Sequence, residues 1–272
     1  MPLTRIDSVD VHYRVDGEVD LPWLMLSNGL GLDLTMWAPQ ITALTRHYRV
    51  LRYDTRGHGG TSTPAAPATI EQLGRDVLAL MEHAGIGRAH FCGFSMGGII
   101  GMWLGIHAAP RIDRLVLAHT AARIGPTSMW DARIATVQAG GMRAISEAAM
   151  RRWFTADFIA RHPGVVGELR RAMERNDPHG YISCCAAVRD ADFCDAVADI
   201  GVPTLVVSGV HDAATTPADA EFLIRRIAGA QRVELDGAHL SNFERPQEFT
   251  AALLGFLDPV SAEHLPARSA VS

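Results

Sequence analysis

Ser95 stands in Gly93-Phe94-Ser95-Met96-Gly97, a serine flanked by two glycines at the spacing of a nucleophile elbow. The flanking residues supply the context that motif needs. Ala89-His90-Phe91-Cys92 reads as a short buried strand, and the small, apolar stretch from Gly97 to Ala109 reads as a helix closed by Pro110. A strand, a sharp turn and a helix put the serine on strained backbone at a helix N-terminus, where developing negative charge is favoured. Gly93 and Gly97 leave the room such a turn requires. The chemistry on offer is nucleophilic attack through a covalent intermediate.

A serine hydroxyl is a weak nucleophile and needs a base within hydrogen-bond reach. The chain has 12 histidines, and position selects among them. His239, in Asp236-Gly237-Ala238-His239, lies just past the last strand, on the loop edge shared with the elbow. His90 and His107 flank or lie within sheet and helix elements and read as packing or surface residues. His58, in Arg56-Gly57-His58-Gly59, reads as part of a structural turn.

The base in turn needs an orienting carboxylate. Asp212 follows the Thr204 strand in Ser208-Gly209-Val210-His211-Asp212, again at a strand's C-terminal end. Buried against the imidazole, it would fix the tautomer and stabilise the imidazolium. Asp236 is a rival close in sequence to His239, but it reads as a turn cap. Asp190 and Asp192 have no strand end behind them. A tetrahedral intermediate also needs hydrogen-bond donors for its oxyanion. The N–H of Met96, next after the nucleophile, is one candidate. The N–H of Leu30, in the loop Ser27-Asn28-Gly29-Leu30-Gly31, is the other.

The elements that must position these groups are legible as a pattern. Ile6 to Val15 alternates apolar and polar residues and suggests an N-terminal hairpin. Short apolar runs begin at Trp23, Tyr48, His90, Leu115, Thr204 and Arg232. Helical patterns cover Ile70 to Ala84, Gly97 to Ala109, Ala218 to Ile227 and Pro246 to Leu257. Strands alternating with helices give an α/β fold, a mostly parallel twisted sheet with helices on both faces. The alternation fails between Thr120 and Asp199, where helical spacing carries scattered aromatics. That stretch leaves the sheet at its C-terminal edge, where open α/β sheets bind ligands, so it reads as a helical cap inserted after the strand near Leu115. The expected organisation is a core of residues 1–122 and 200–258, a cap of 123–199, and a mobile tail of 259–272.

Composition removes several classes of function. A chain of 272 residues, 48% hydrophobic, can bury a large core as one unit. A net charge of −5 argues against a nucleic-acid groove. The stretch Ile99 to Ala109 is too short for a bilayer, which takes ~20 residues, and the N-terminus lacks the apolar segment of a signal peptide. Adjacent Cys184 and Cys185, with Cys92 and Cys194, suit neither a disulfide framework nor a common zinc pattern. A soluble cytoplasmic protein acting on a small molecule, without a metal, is the expectation.

The order Ser95, Asp212, His239, together with the Asn28-Gly29-Leu30-Gly31 loop and Tyr53-Asp54-Thr55-Arg56-Gly57-His58-Gly59, resembles the α/β-hydrolase superfamily almost to Leu257. More narrowly, the chain is similar to the 3-oxoadipate enol-lactonases of the β-ketoadipate pathway. That likeness rests on several segments read together, among them Met36-Trp37-Ala38-Pro39-Gln40, Thr120-Ala121-Ala122-Arg123-Ile124-Gly125 and Arg152-Trp153-Phe154-Thr155. Asn28 stands where many hydrolases have histidine, as the resemblance implies. Gly29 departs from it, since serine is usual there. The resemblance implies a five-membered enol-lactone with an acetate arm as substrate, 3-oxoadipate as product, and no cofactor. Relatives that dehalogenate or open epoxides use an aspartate where this chain has Ser95. Other triad hydrolases, such as carboxylesterases, other lactonases, carbon–carbon bond hydrolases or haloperoxidases, share the machinery, and a non-catalytic ligand receptor could share the fold.

A substrate carboxylate calls for a cation in the pocket. The cap offers Arg123, Arg133, Arg143, Arg151 and Arg152. Arg133 is the preferred candidate because it lies one helical turn from Trp130, which places both on one helix face with Trp130 as a pocket wall.

Overall fold

The computed structural model describes residues 3–6 and 9–257. The tail expected over 259–272 lies outside them. In chain order the elements begin with β1 (Leu3–Ile6), β2 (Val9–Asp16), β3 (Trp23–Ser27), α1 (Ala38–Leu44), β4 (Arg49–Tyr53) and α2 (Ile70–His83). There follow β5 (Ala89–Phe94), α3 (Met96–His107) and β6 (Ile112–Ala118). Five helices come next without a strand: α4 (Thr127–Gly140), α5 (Arg143–Trp153), α6 (Ala156–Arg161), α7 (Pro163–Glu174) and α8 (Pro178–Asp190). The sheet resumes with β7 (Thr204–Gly209), α9 (Pro217–Arg226), β8 (Gln231–Leu235), α10 (Ser241–Glu244) and α11 (Pro246–Leu257).

The eight strands form one sheet in the order β1-β2-β4-β3-β5-β6-β7-β8. Only the β1–β2 and β2–β4 pairs are antiparallel; from β4 to β8 every pair is parallel. The alternating stretch from Ile6 is mostly β2 itself, and its hairpin partner is the shorter β1 ahead of it.

The inner parallel strands β3, β5, β6 and β7 are largely buried and read as apolar runs and not as alternation, whereas the parallel edge strand β8 is partly exposed. β5 shows why. Phe91 packs towards Gly101 of α3, while Phe94, of opposite parity, meets Trp37 and Phe249 of the other helical layer at 6.1 and 6.4 Å between ring centroids. α2 lies over α3, its apolar stripe of Ile70, Leu73, Val77 and Leu80 turned inward, and Gly74 accommodates the Trp103 ring. Thr69 caps α2 through the Gln72 N–H. α1 was not evident from the pattern. Its Pro39 falls in the first turn, where a missing N–H costs nothing, although proline punctuates most other sequences. No helix among the described residues is long and apolar enough to cross a membrane.

Candidate active site

The elbow forms as its glycines require. Ser95 has φ 54° and ψ −112°, a region that non-glycine residues avoid, directly ahead of α3. A Cβ on Gly93 would lie 2.0 Å from the carbonyl oxygen of Gly97, and one on Gly97 would lie 2.4 Å from that of Ser27. Neither position admits a side chain while the turn keeps this shape. The Ser95 N–H donates to Ala118 O of β6 at 2.8 Å, which ties the strained residue to the sheet.

Asp212, in the loop after β7, and His239, in the loop after β8, come together. The Nδ1–H of His239 donates to Oδ2 of Asp212 at 2.8 Å. An ionised carboxylate only accepts, so this bond places the imidazole proton on Nδ1 and leaves the Nε2 lone pair as the basic site. Asp212 and His239 are each 4% exposed, while Ser95 is half-buried. Both Ser95 and His239 line one cavity.

The Asp212 carboxylate is saturated with donors. Oδ1 accepts the N–H groups of Ala214 and Thr215 at 2.8 and 3.0 Å, and Oδ2 accepts the Thr215 hydroxyl at 2.9 Å. Burial alone would push this carboxyl up. The His239 charge, with the N–H donors of His119 and His239, outweighs that and holds it well below the usual carboxylate range. The acid therefore stays ionised at any pH at which the protein would work.

His119 is the group that sequence reasoning missed. Its Nδ1 lies 2.9 Å from the same Oδ2 of Asp212. The imidazoles of His119 and His239 and the Asp212 carboxylate bring their ligand-type atoms within 4.8 Å of one another. Distances of 2.8 and 2.9 Å between nitrogen and oxygen are hydrogen bonds, so this cluster is one shared carboxylate with two imidazole donors. A signal was present: His119 is the first residue after β6, the same strand-end position that singled out Asp212 and His239.

Leu30 and Met96 border the same cavity as Ser95. Met96 opens α3, where the first amides have no intrahelical acceptor. The Leu30 loop is pinned by Asn28, whose side-chain amide donates to Tyr53 O at 2.8 Å and accepts the Trp37 indole N–H at 2.9 Å. A Cβ on Gly29 would stand 3.5 Å from Cβ of Ser95, so glycine keeps this wall open beside the serine.

The rival residues are engaged elsewhere. Asp236 does not cap its turn through its carboxylate, which is exposed and pairs with Arg245 at 2.8 Å and with His211 at 3.0 Å. Asp190 pairs with Arg189, and Asp192 lies 3.5 Å from Arg123. His58 is fully buried, its Nδ1–H directed to Arg56 O at 3.2 Å, and burial pushes its imidazole down to about 4.

The far wall of the cavity comes from α4 and α5. Trp130 is 4% exposed and its indole N–H donates to Ile124 O at 2.6 Å, so the ring is fixed. The Arg133 guanidinium lies 4.9 Å over that ring, at cation–π distance. Trp130, Arg133, Arg152, Met129 and Trp153 all border the space above Ser95. Of the five arginines weighed as partners for a substrate carboxylate, three have acidic partners: Arg123 with Asp192, Arg143 with Glu174 and Arg151 with Glu147. Among the described residues, Arg133 and Arg152 form no ion pair with a carboxylate, and these are the two that face the cavity. Burial, followed by the neighbouring Arg133 charge, pushes the Arg152 guanidinium down.

Comparison with known proteins agrees with the fold. A family model described as alpha/beta hydrolase fold matches residues 22–246, and the chain belongs to that family. Within it, the chain is 42% identical to 3-oxoadipate enol-lactonase 2 of Acinetobacter baylyi, over 90% of this chain and 92% of that one. It superposes on the crystal structure of the enol-lactonase from Burkholderia xenovorans with a TM-score of 0.93 at 48% identity, covering 94% of this chain and 99% of the other. A putative carbamate hydrolase, RutD, of Agrobacterium fabrum is 31% identical over 92% of this chain and 97% of its own length.

Proposed function

We propose that the protein is a serine hydrolase that opens the ring of 3-oxoadipate enol-lactone, giving 3-oxoadipate in the breakdown of aromatic acids. The observation that carries this reading is the pair Arg133 and Arg152. Two cations without acidic partners among the described residues border the cavity of a candidate nucleophile, which suits an ester whose other end is a carboxylate. The similarity to enol-lactonases over nine-tenths of the chain supports the same substrate.

In this reading His239 Nε2 takes the Ser95 proton as Oγ attacks the lactone carbonyl. Asp212 holds the imidazole and stabilises the imidazolium. The N–H groups of Met96 and Leu30 receive the oxyanion. Collapse breaks the ring C–O bond, and the expelled oxygen takes the proton from His239 to become an enol that stays tethered to the acyl chain. Conversion of that enol to the ketone removes the nucleophile that could close the ring again. Water, deprotonated by His239, then attacks the acyl carbon and releases Ser95. Arg133 and Arg152 hold the acetate arm while Trp130 walls the ring. The helices of residues 123–199 serve as the cap over a core of 1–122 and 200–258. Four free thiols, three of them buried, fit a reducing compartment, hence the cytoplasm.

The test is ring opening of freshly generated enol-lactone, followed by ultraviolet absorbance beside a p-nitrophenyl ester. A kcat/KM of ~10⁶ M⁻¹s⁻¹ or more for the lactone, and far less for the ester, is expected. Brisk ester cleavage with slow lactone opening would make the protein a general esterase.

A further inference from the structure

His119 is placed with unusual constraint for a residue outside the nucleophile, base and acid. It is 1% exposed and sits at φ 47°, and Ser95 is the other described non-glycine residue at positive φ. Its N–H donates to Val207 O of β7 at 2.8 Å, which fixes the backbone. Its ring stacks on Phe94, 5.0 Å between centroids and 24° between planes, and meets the His239 ring edge-on at 5.7 Å. Strained backbone held by its surroundings gathers at functional sites.

We infer that His119 is a positioning residue, holding the Asp212 carboxylate for His239 from the opposite side. The inference rests on the reading of Asp212 and His239 as acid and base. The bonding pattern fixes the proton positions. The carboxylate accepts only, so the Nδ1 of His119 carries hydrogen, and its Nε2, 2.6 Å from Ser241 Oγ, accepts the Ser241 hydroxyl proton. A line therefore runs from Ser241 of α10 through His119 to Asp212, anchoring the loop after β7 to the helix after β8. The charged and titratable groups facing His119 are Asp212, His239 and, from α10, Glu244. Burial keeps the His119 imidazole neutral against the pull of Asp212.

Sharing one oxygen between two imidazoles has two effects. It stops the carboxylate rotating away from His239. It also draws charge from Oδ2, so the imidazolium formed on His239 during attack is stabilised less than it would be by an undivided carboxylate.

The test compares His119→Phe with His119→Asn. The phenyl ring keeps the bulk and the stacking but donates nothing. The asparagine side-chain nitrogen occupies the place of Nδ1, and asparagine tolerates positive φ. His119→Phe should lower kcat roughly 10- to 100-fold, the range for one hydrogen bond to a charged group, with KM little changed. The acidic limb of its pH profile should move to higher pH. His119→Asn should restore both. Equal, near-native kcat and pH profiles in the two variants would make His119 a packing residue and overturn the inference. Equal losses in both would overturn it too, since the ring and not its donor would then matter. Should the phenylalanine variant fail to fold, the unmodified protein decides: two downfield imidazole N–H resonances in its proton spectrum are expected, and a single one would overturn the shared carboxylate. Loss of turnover in Ser95→Ala tests the triad by itself, so failure of that reading is distinguishable from failure of this one.

Discussion

Gly57 and Gly180 meet backbone to backbone, so closely that a Cβ built on either would lie 2.4 Å from the Cα of the other. Gly57 belongs to the turn after β4 and Gly180 to the first part of α8, so this contact sets how near the inserted helices come to the sheet edge. Gly57 also has φ +75°, which makes glycine necessary there twice over. A glycine-to-alanine change inside a helix ordinarily stabilises by about 1 kcal/mol. In Gly180→Ala the methyl would strike main chain that cannot swing aside, and overpacking of this kind costs about 1–3 kcal/mol. Thermal unfolding of Gly180→Ala should therefore show a lower midpoint, by about 2–4 °C for each kcal/mol lost in a chain approaching this size. An unchanged or raised midpoint would contradict the contact.

Arg133 and Arg152 should separate binding from chemistry. A charge-assisted hydrogen bond to a substrate carboxylate contributes about 1.5–3 kcal/mol. Arg133→Gln and Arg152→Gln should each raise KM for the lactone roughly 10- to 100-fold, leaving kcat within a few-fold, because the arm is bound alike in ground and transition states. Cleavage of an uncharged p-nitrophenyl ester should change little. A variant that slows lactone and ester equally would remove its arginine from the carboxylate site. The cation–π contact with Trp130 gives Arg133 a fixed platform, so its variant should show the larger effect.

Stability should fall on mild acidification. Burial pushes the imidazoles of His58, His90 and His119 down, that of His58 to about 4. The unfolded chain takes up these protons near pH ~6.5. Between the two values the unfolded state holds more protons, so stability rises with pH through this window. It is complete above about pH 6.5 and declines towards pH 4, by ~3 kcal/mol for His58 alone. Asp212, held below the carboxylate range, adds a loss only at lower pH. Urea midpoints at pH 7.5 and 4.5 check this. The decline should shrink in His58→Asn, and a flat profile in the unmodified protein would contradict it.

How far the sequence carried depends on what each feature needs in order to be seen. Ser95, Asp212 and His239 were each found by position, at the C-terminal end of a predicted strand, and the parallel sheet brings all three ends to one edge. His119 obeys the same rule at the end of β6, but a histidine there has no assigned task in a nucleophile–acid–base scheme. Its role depends on a contact with Asp212, 93 residues away. The arginines were harder for a different reason. Arg152 differs from Arg151 only in what surrounds it: Arg151 turns outward to Glu147 one turn back, while its neighbour turns towards Met129 and the cavity. Adjacent helical residues point about 100° apart, and which of them faces a pocket follows from how α4 and α5 pack. Helices in the segment between β6 and β7 were predictable from spacing, but the arrangement of α4 to α8 follows from close approaches such as Gly57 to Gly180.

The most direct measurement is single-turnover and steady-state opening of the enol-lactone by Ser95→Ala beside the unmodified protein. Loss of the proposed nucleophile should lower kcat by at least ~10³-fold, while the folded structure and lactone binding persist, since the amides proposed to hold the oxyanion and the two arginines remain. Turnover within tenfold of the unmodified protein would contradict a Ser95 acyl-enzyme, and with it the roles proposed for Asp212 and His239.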